Sequence, residues 1–248
     1  MDWGQFLLFI VVGFAAQMVD GAIGMAYGVT ATTILMSLGI SPATASACVH
    51  AAEVFTTAAS GASHWRLGNV DFALLRRLAL PGMIGGGLGA FALSNLDGEQ
   101  IRPFVSAYLL IMGGYILWKA IGEKPEEHEP PRHITILGFT GGFLDAIGGG
   151  GWGPLVASSL IGAGTKPRYA IGTVNLTEFL VTLTTTATFV FTIGLELWSI
   201  ILGLIIGGGL AAPFAAMATK KMPDKPMMIL VAAVVILLSL RNLVLAWI

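Results

Sequence analysis

The chain is written as long apolar runs broken by short polar punctuation. Residues 3–19, 21–52, 78–96, 103–118, 146–165, 179–195, 197–219 and 226–240 contain no Asp, Glu, Lys or Arg. A helix rising about 1.5 Å per residue crosses the hydrocarbon core in roughly 20 residues, and several of these runs reach that length. Strict alternation of apolar and polar positions, the mark of a half-buried strand, is absent. The pattern predicts ordinary membrane-spanning helices at 43–64, 72–94, 102–120, 168–191, 197–219 and 226–247. Two stretches do not fit that mould. Residues 3–39 and 134–164 are 37 and 31 residues long, too long for one straight span, and each carries an aspartate and glycines near its middle. The second contains GFTGGFLDAIGGGGWGP at 138–154. A helical glycine costs about 1 kcal/mol relative to alanine, so four in succession abandon the helix. Each stretch is expected to be a helical hairpin or a re-entrant loop, with its tip at Asp20–Gly21 or at Asp145–Gly151. Backbone that cannot pair with lipid must then line a cavity or meet polar partners.

Composition agrees with lipid as the solvent. Hydrophobic residues make up 55% of the chain and charged residues 11%, with a mean hydropathy of +0.82, whereas soluble domains are about 25% charged. No Lys or Arg precedes the first apolar run, so that run is expected to be a mature membrane segment rather than a cleaved signal. Cys48 is the single cysteine and excludes an intrachain disulfide. A net charge of −1 offers no footprint for nucleic acid. The sequence lacks HExxH, CxxC, GxSxG and P-loop patterns, which argues against an enzyme and gives no reason to expect a metal or cofactor.

An internal duplication organises the chain. At an offset of 125, GFAAQMVDGAIGMAYG (13–28) lies on GFTGGFLDAIGGGGWG (138–153), pairing Asp20 with Asp145, Gly24 with Gly149 and Gly28 with Gly153. The match continues through Gly39/Gly164, Pro42/Pro167, Ala45/Ala170, Val49/Val174 and Glu53/Glu178, and IGGGL recurs at 84–88 and 206–210. The domain reading is a first repeat at 1–121, a Pro- and Glu-rich cytoplasmic linker at 122–133, and a second repeat at 134–248. Equivalent loops are charged in opposite ways: Arg66, Arg76 and Arg77 in one half face Glu196 in the other, and Lys166 and Arg168 have no charged counterpart in the loop near 39–42. If each half crosses the membrane an odd number of times, 11 of the 13 Lys and Arg fall on one side, leaving only Arg102 and Arg241 on the other. An even number splits them nearly equally. The positive-inside rule therefore favours inverted repeats with both termini outside the inner membrane. The expected fold is an all-α polytopic membrane protein of two inverted-topology repeats, each a helical hairpin or re-entrant segment followed by three transmembrane helices.

This arrangement places chemistry inside the membrane. Aspartate is a favoured N-cap, so Asp20 and Asp145 have a structural reading as caps of the second arms. They also have a functional reading as coupling groups. Glu53 and Glu178 each stand near the centre of a span. A carboxylate there costs a few kcal/mol and is usually paired, protonated or facing water, which fits either a packed glutamate or a proton- or cation-coupling site. His50 and Asn175 occupy equivalent positions one turn earlier. The helix starts behind the two tips offer unpaired N–H groups and positive dipole ends, a cradle for an anion without any arginine. The expected substrate set is Gly24, Met25, Tyr27, Gly28, His50, Gly148, Gly149, Gly150, Gly151, Trp152, Gly153, Thr173 and Asn175, with Asp20, Glu53, Asp145 and Glu178 as coupling residues.

The motifs themselves carry a resemblance. GFAAQMVDGAIGMAYG with SPATASACVHAAE, and GFTGGFLDAIGGGGWG with KPRYAIGTVNLTE, resemble the two halves of the TauE/SafE family of membrane transporters over nearly the whole chain. The resemblance implies movement of a small sulfur-containing anion such as sulfite, thiosulfate or an organosulfonate, often as export from the cytoplasm. From the residues, proton coupling is the expected drive. A channel or cation carrier using the four acids, or a non-transporting membrane partner protein, stays open beside it.

Overall fold

A computed structural model describes residues 3–23, 26–122, 133–194, 197–219 and 224–245. It is helical throughout the described residues, without strands. The first repeat comprises α1 (Trp3–Ile23), α2 (Tyr27–Ser37), α3 (Pro42–Arg66), α4 (Phe72–Ser94) and α5 (Gly98–Ile121). The second comprises α6 (Ile134–Gly148), a π-helical turn Gly153–Ala157 running into α7 (Ser158–Gly162), α8 (Pro167–Thr192), α9 (Trp198–Thr219) and α10 (Asp224–Leu245). The six ordinary spans expected from the apolar runs thus correspond to α3, α4, α5, α8, α9 and α10. By length and hydropathy, Gly98–Ile121, Arg168–Thr192 and Met228–Leu245 qualify as spans among the described residues. Most of the expected linker, 123–132, lies outside them.

Local chemistry sets the helix starts. Ser41 accepts from Thr44 N at 3.3 Å with Pro42 behind it, Asp71 accepts from Ala73 N and Leu74 N, and Asp97 from Glu99 N and Gln100 N. Outward faces are apolar: Leu80, Ile111, Phe191 and Leu237 are all exposed, as lipid-facing side chains should be.

Glycine lets the helices approach at backbone distance. Gly207 of α9 packs on the Ile10 carbonyl of α1, and Gly13 on Leu204. In the same way Gly85 of α4 packs on the Phe139 carbonyl of α6, Gly138 on Leu78 and Gly142 on Gly82. A methyl group at any of these positions would strike backbone, so the IGGGL repeats are packing surfaces. Gly203, Gly207 and Gly208 of α9 meet Phe9, Phe14 and Gln17 in turn, and Leu78, Gly82 and Gly89 of α4 meet Gly138, Gly142 and Phe143, so α1 runs parallel to α9 and α6 to α4. The 125-residue offset turns one pairing into the other. Two further pairs join equivalent helices. Ser60 and Gly61 of α3 meet Asn175 and Leu176 of α8, while Asn69 meets Arg168 and Gly172, so this order runs backwards. Gly113 of α5 meets Val235 and Ile236 of α10, and Ile116 and Ala120 cluster with Ala232 and Met228, again in reverse order.

Candidate functional site

The opening segment of each repeat is broken, and the two breaks meet. In the first repeat α1 continues through Asp20 to Ile23 and α2 restarts at Tyr27, so the interruption comes after Asp20–Gly21, where the expected tip was placed. The reason is the reach of the cap. Ala26 stands at the N-cap position and has no side chain to offer, and Asp20 Oδ1 accepts from Ala26 N at 3.0 Å and Tyr27 N at 3.3 Å instead. The second repeat repeats the device: Asp145 Oδ1 accepts from Trp152 N at 2.9 Å, across the same seven-residue step. Between them the chain turns on Gly149 (φ 66°), Gly150 (φ 151°) and Gly151 (φ 143°), conformations that side chains rarely tolerate. A Cβ at Gly28 would lie 2.7 Å from Gly150 Cα and 2.9 Å from Glu53 Oε1. The second arm of one repeat therefore touches the glycine turn of the other.

At this junction lies a cavity of about 250 Å³. Asp20, Asp145, Glu53 and Glu178 all line it, with Tyr27, Gly28, Gly151, Gly153 and Asn175. One face of α3 (Glu53, Thr56, Thr57, Ser60, His64) runs along its wall at helical spacing, opposite Ile171, Asn175 and Glu178 of α8. Among the described residues no lysine or arginine lines it. Gln17 also reaches it, and its Oε1 is buried without a partner. Gly28 and Val29, in the first turn of α2, line the same space.

His50 stands behind this wall, fully buried, with Nε2 at 3.1 Å from Asp145 Oδ2. Its Nδ1 lies 2.8 Å from the Ser46 carbonyl, which only accepts, so Nδ1 carries a hydrogen. Asn175, the equivalent of His50, makes other bonds: it accepts from Ser60 Oγ at 2.9 Å and donates to Ile171 O at 2.9 Å.

The remaining expected residues fall elsewhere. Trp152 is fully buried against Gly82, Val181 and Gly141, and its Nε1 donates to Val174 O at 3.4 Å. Thr173 Oγ1 accepts from Asp71 N at 2.9 Å and tethers the start of α4. Gly148 ends α6 under Tyr108, and Gly149 and Gly150 lie in the turn under Thr32 and Val29. Gly24 and Met25 lie outside the described residues. Two residues that sequence reasoning passed over hold the glycine turn, Thr32 Oγ1 donating to Gly149 O and Tyr108 Oη to Gly150 O at 3.0 Å, and just before it Ser46 Oγ donates to Ala146 O at 2.6 Å. Thr32 stands among Thr30 and Thr33 and Tyr108 follows Ser106, and nothing in the sequence around them signals a partner in the other repeat.

Comparison with known proteins converges on one group. Residues 9–242 match the family described as sulfite exporter TauE/SafE. The chain is 43% identical over 253 residues to a probable membrane transporter protein, YtnM, of Bacillus subtilis (strain 168), covering 98% of this chain and 84% of that one. No solved structure matches.

Proposed function

The chain belongs to the sulfite exporter TauE/SafE family and is a multi-pass membrane transporter, and from that premise we propose that it carries a small sulfur-containing anion across the inner membrane in exchange with protons. The observation that carries this reading is the convergence of both broken segments and all four intramembrane acids on one cavity. Broken helices that meet between repeats are where transporters bind cargo, because the freed N–H groups and helix dipoles are stabilised by an anion and not by lipid. Asp20 and Asp145 occupy their own carboxylates with backbone N–H groups, which leaves Glu53 and Glu178 as the proton-exchanging pair.

The same proposal holds that the repeats are inverted and that their opening segments are re-entrant. Support comes from the reversed contact order of α3 with α8 and of α5 with α10. A repeat that crosses an odd number of times turns its partner over, so equivalent helices meet antiparallel. Under the positive-inside rule the linker and the Arg66/Arg168 end face the cytoplasm. The cavity wall extends from Glu53 towards His64 and Asn175, at that end, so cargo would load from the cytoplasmic side.

The acid-rich lining, without lysine or arginine among the described residues, favours a second reading, a channel or cation carrier that binds its cargo directly to the carboxylates. Proteoliposome flux separates the two. Labelled sulfite should move faster when a pH gradient is imposed, and Glu178→Gln should remove the gradient dependence. Sulfite movement indifferent to pH, beside selective flux of a monovalent cation, would decide for the second reading.

A further inference from the structure

We propose a second oxyanion site, separate from the central cavity, formed by Arg102, Arg241 and Asn242 where α2 ends, α5 begins and α10 ends. These residues line a cavity of about 300 Å³ that shares no residue with the central one. Arg102 Nη2 donates to Met36 O at 2.6 Å and Arg241 Nη1 to Ser37 O at 2.9 Å, so both guanidinium groups serve the last carbonyls of α2. One bond occupies a fraction of the five donors in each planar fork. Among the described residues neither arginine is paired with an acid, and none of the residues lining this cavity is acidic. Asn242 supplies the independent observation. It is only 3% exposed, and its Nδ2 has no acceptor. A buried amide nitrogen without a partner is rare in native proteins and calls for a missing ligand.

Two forks and an amide nitrogen, all donors, lining one cavity specify an acceptor-only ligand carrying negative charge. Guanidinium groups match oxyanions because two N–H bonds can be made to two oxygens at once. The chemistry is therefore a tetrahedral oxyanion: sulfate, a sulfonate or a phosphoryl group. Arg102 lies in the first turns of the span Gly98–Ile121 and Arg241 in the last turns of Met228–Leu245. That is the depth of phospholipid headgroups, so a lipid phosphate or a free anion would present the same oxygens. Either occupant would screen the two positive charges and fix the end of the arm whose other end reaches the central cavity.

The test uses the full chain purified in a maltoside detergent, with the thermal unfolding midpoint followed against sodium sulfate and against sodium chloride at equal ionic strength. In parallel, native mass spectrometry scores retention of phosphatidylglycerol against phosphatidylcholine. Saturable stabilisation by sulfate identifies a free oxyanion; selective retention of phosphatidylglycerol alone identifies a headgroup. In either case Arg102→Gln/Arg241→Gln should weaken the effect by about tenfold or more, since two charge-assisted contacts are lost. Asn242→Leu should weaken it a few-fold while folding at least as well as the parent, because it removes an unpartnered amide. Asn242→Leu decides the matter if the double variant fails to fold. The proposal is overturned if neither ligand is preferred, or if these variants respond to it as the parent does.

Discussion

The two glycine-flanked breaks use the same cap and different bracing. Asp20 and Asp145 each hold the N–H seven residues ahead, at 3.3 and 2.9 Å. Beyond that the halves diverge. The second break turns on three left-handed glycines whose neighbourhood is bonded by Thr32, Tyr108, Ser46 and His50, all from the first repeat. At the first break Ala26 has an ordinary negative φ of −139°, and the residue equivalent to His50, Asn175, spends its amide on Ser60 and Ile171. Duplication conserved the cap, which belongs to the backbone geometry. The bracing was free to drift, because it depends on whichever residue the other half presents. One break is consequently a fixed turn built into its partner; at the other, the described bonds are those of Asp20 to Ala26 N and Tyr27 N and of Tyr27 Oη to Leu204 O.

This contrast can be broken at its strongest point first. Gly150→Ala puts a methyl group into the backbone of Gly28 and Val29 at a φ of 151°, so strain and collision act together. The expected result is loss of monodisperse folded protein on size exclusion, a penalty of about 4 kcal/mol or more. Next, His50→Asn gives the first repeat the residue of the second and leaves Asp145 without its ion partner. Breaking a buried pair costs about 3 kcal/mol, which should lower the unfolding midpoint far more than Asn175→Ala, at about 1 kcal/mol. An equal effect of the two substitutions would mean that the breaks are braced alike. Thr32→Val removes one hydroxyl from the Gly149 carbonyl and should cost about 1 kcal/mol in the same assay. At the small end, Ala26→Gly should change stability by only a few tenths of a kcal/mol, since this position relies on the Asp20 side chain rather than its own.

Much of this architecture is legible before any coordinates. Apolar runs mark α3, α4, α5, α8, α9 and α10, because lipid demands a long uninterrupted apolar stretch and tolerates little else. The four acids stand out for the same reason, and all four reach one cavity. What the sequence hides is direction. Trp152 and Tyr27 are equivalent by the repeat, yet Tyr27 lines the cavity and Trp152 packs away from it into Gly82 and Gly141. Thr173 likewise turns to the Asp71 amide. The break in the first repeat is displaced from Asp20 because the aspartate caps across a gap, and a cap acting seven residues ahead leaves no local signature. Tyr108 and Thr32 were invisible because each finds its partner more than 40 residues away in the chain.

The most direct test of the account concerns orientation. In a Cys48→Ala background, single cysteines at Leu38 and at its repeat equivalent Ala163 are exposed in intact cells to a membrane-impermeant maleimide. Opposed repeats predict that the cysteine at position 38 is labelled from outside and that at 163 only after the membrane is opened. Labelling of both from the same side would contradict the inverted arrangement and, with it, the shared pocket between two opposed breaks.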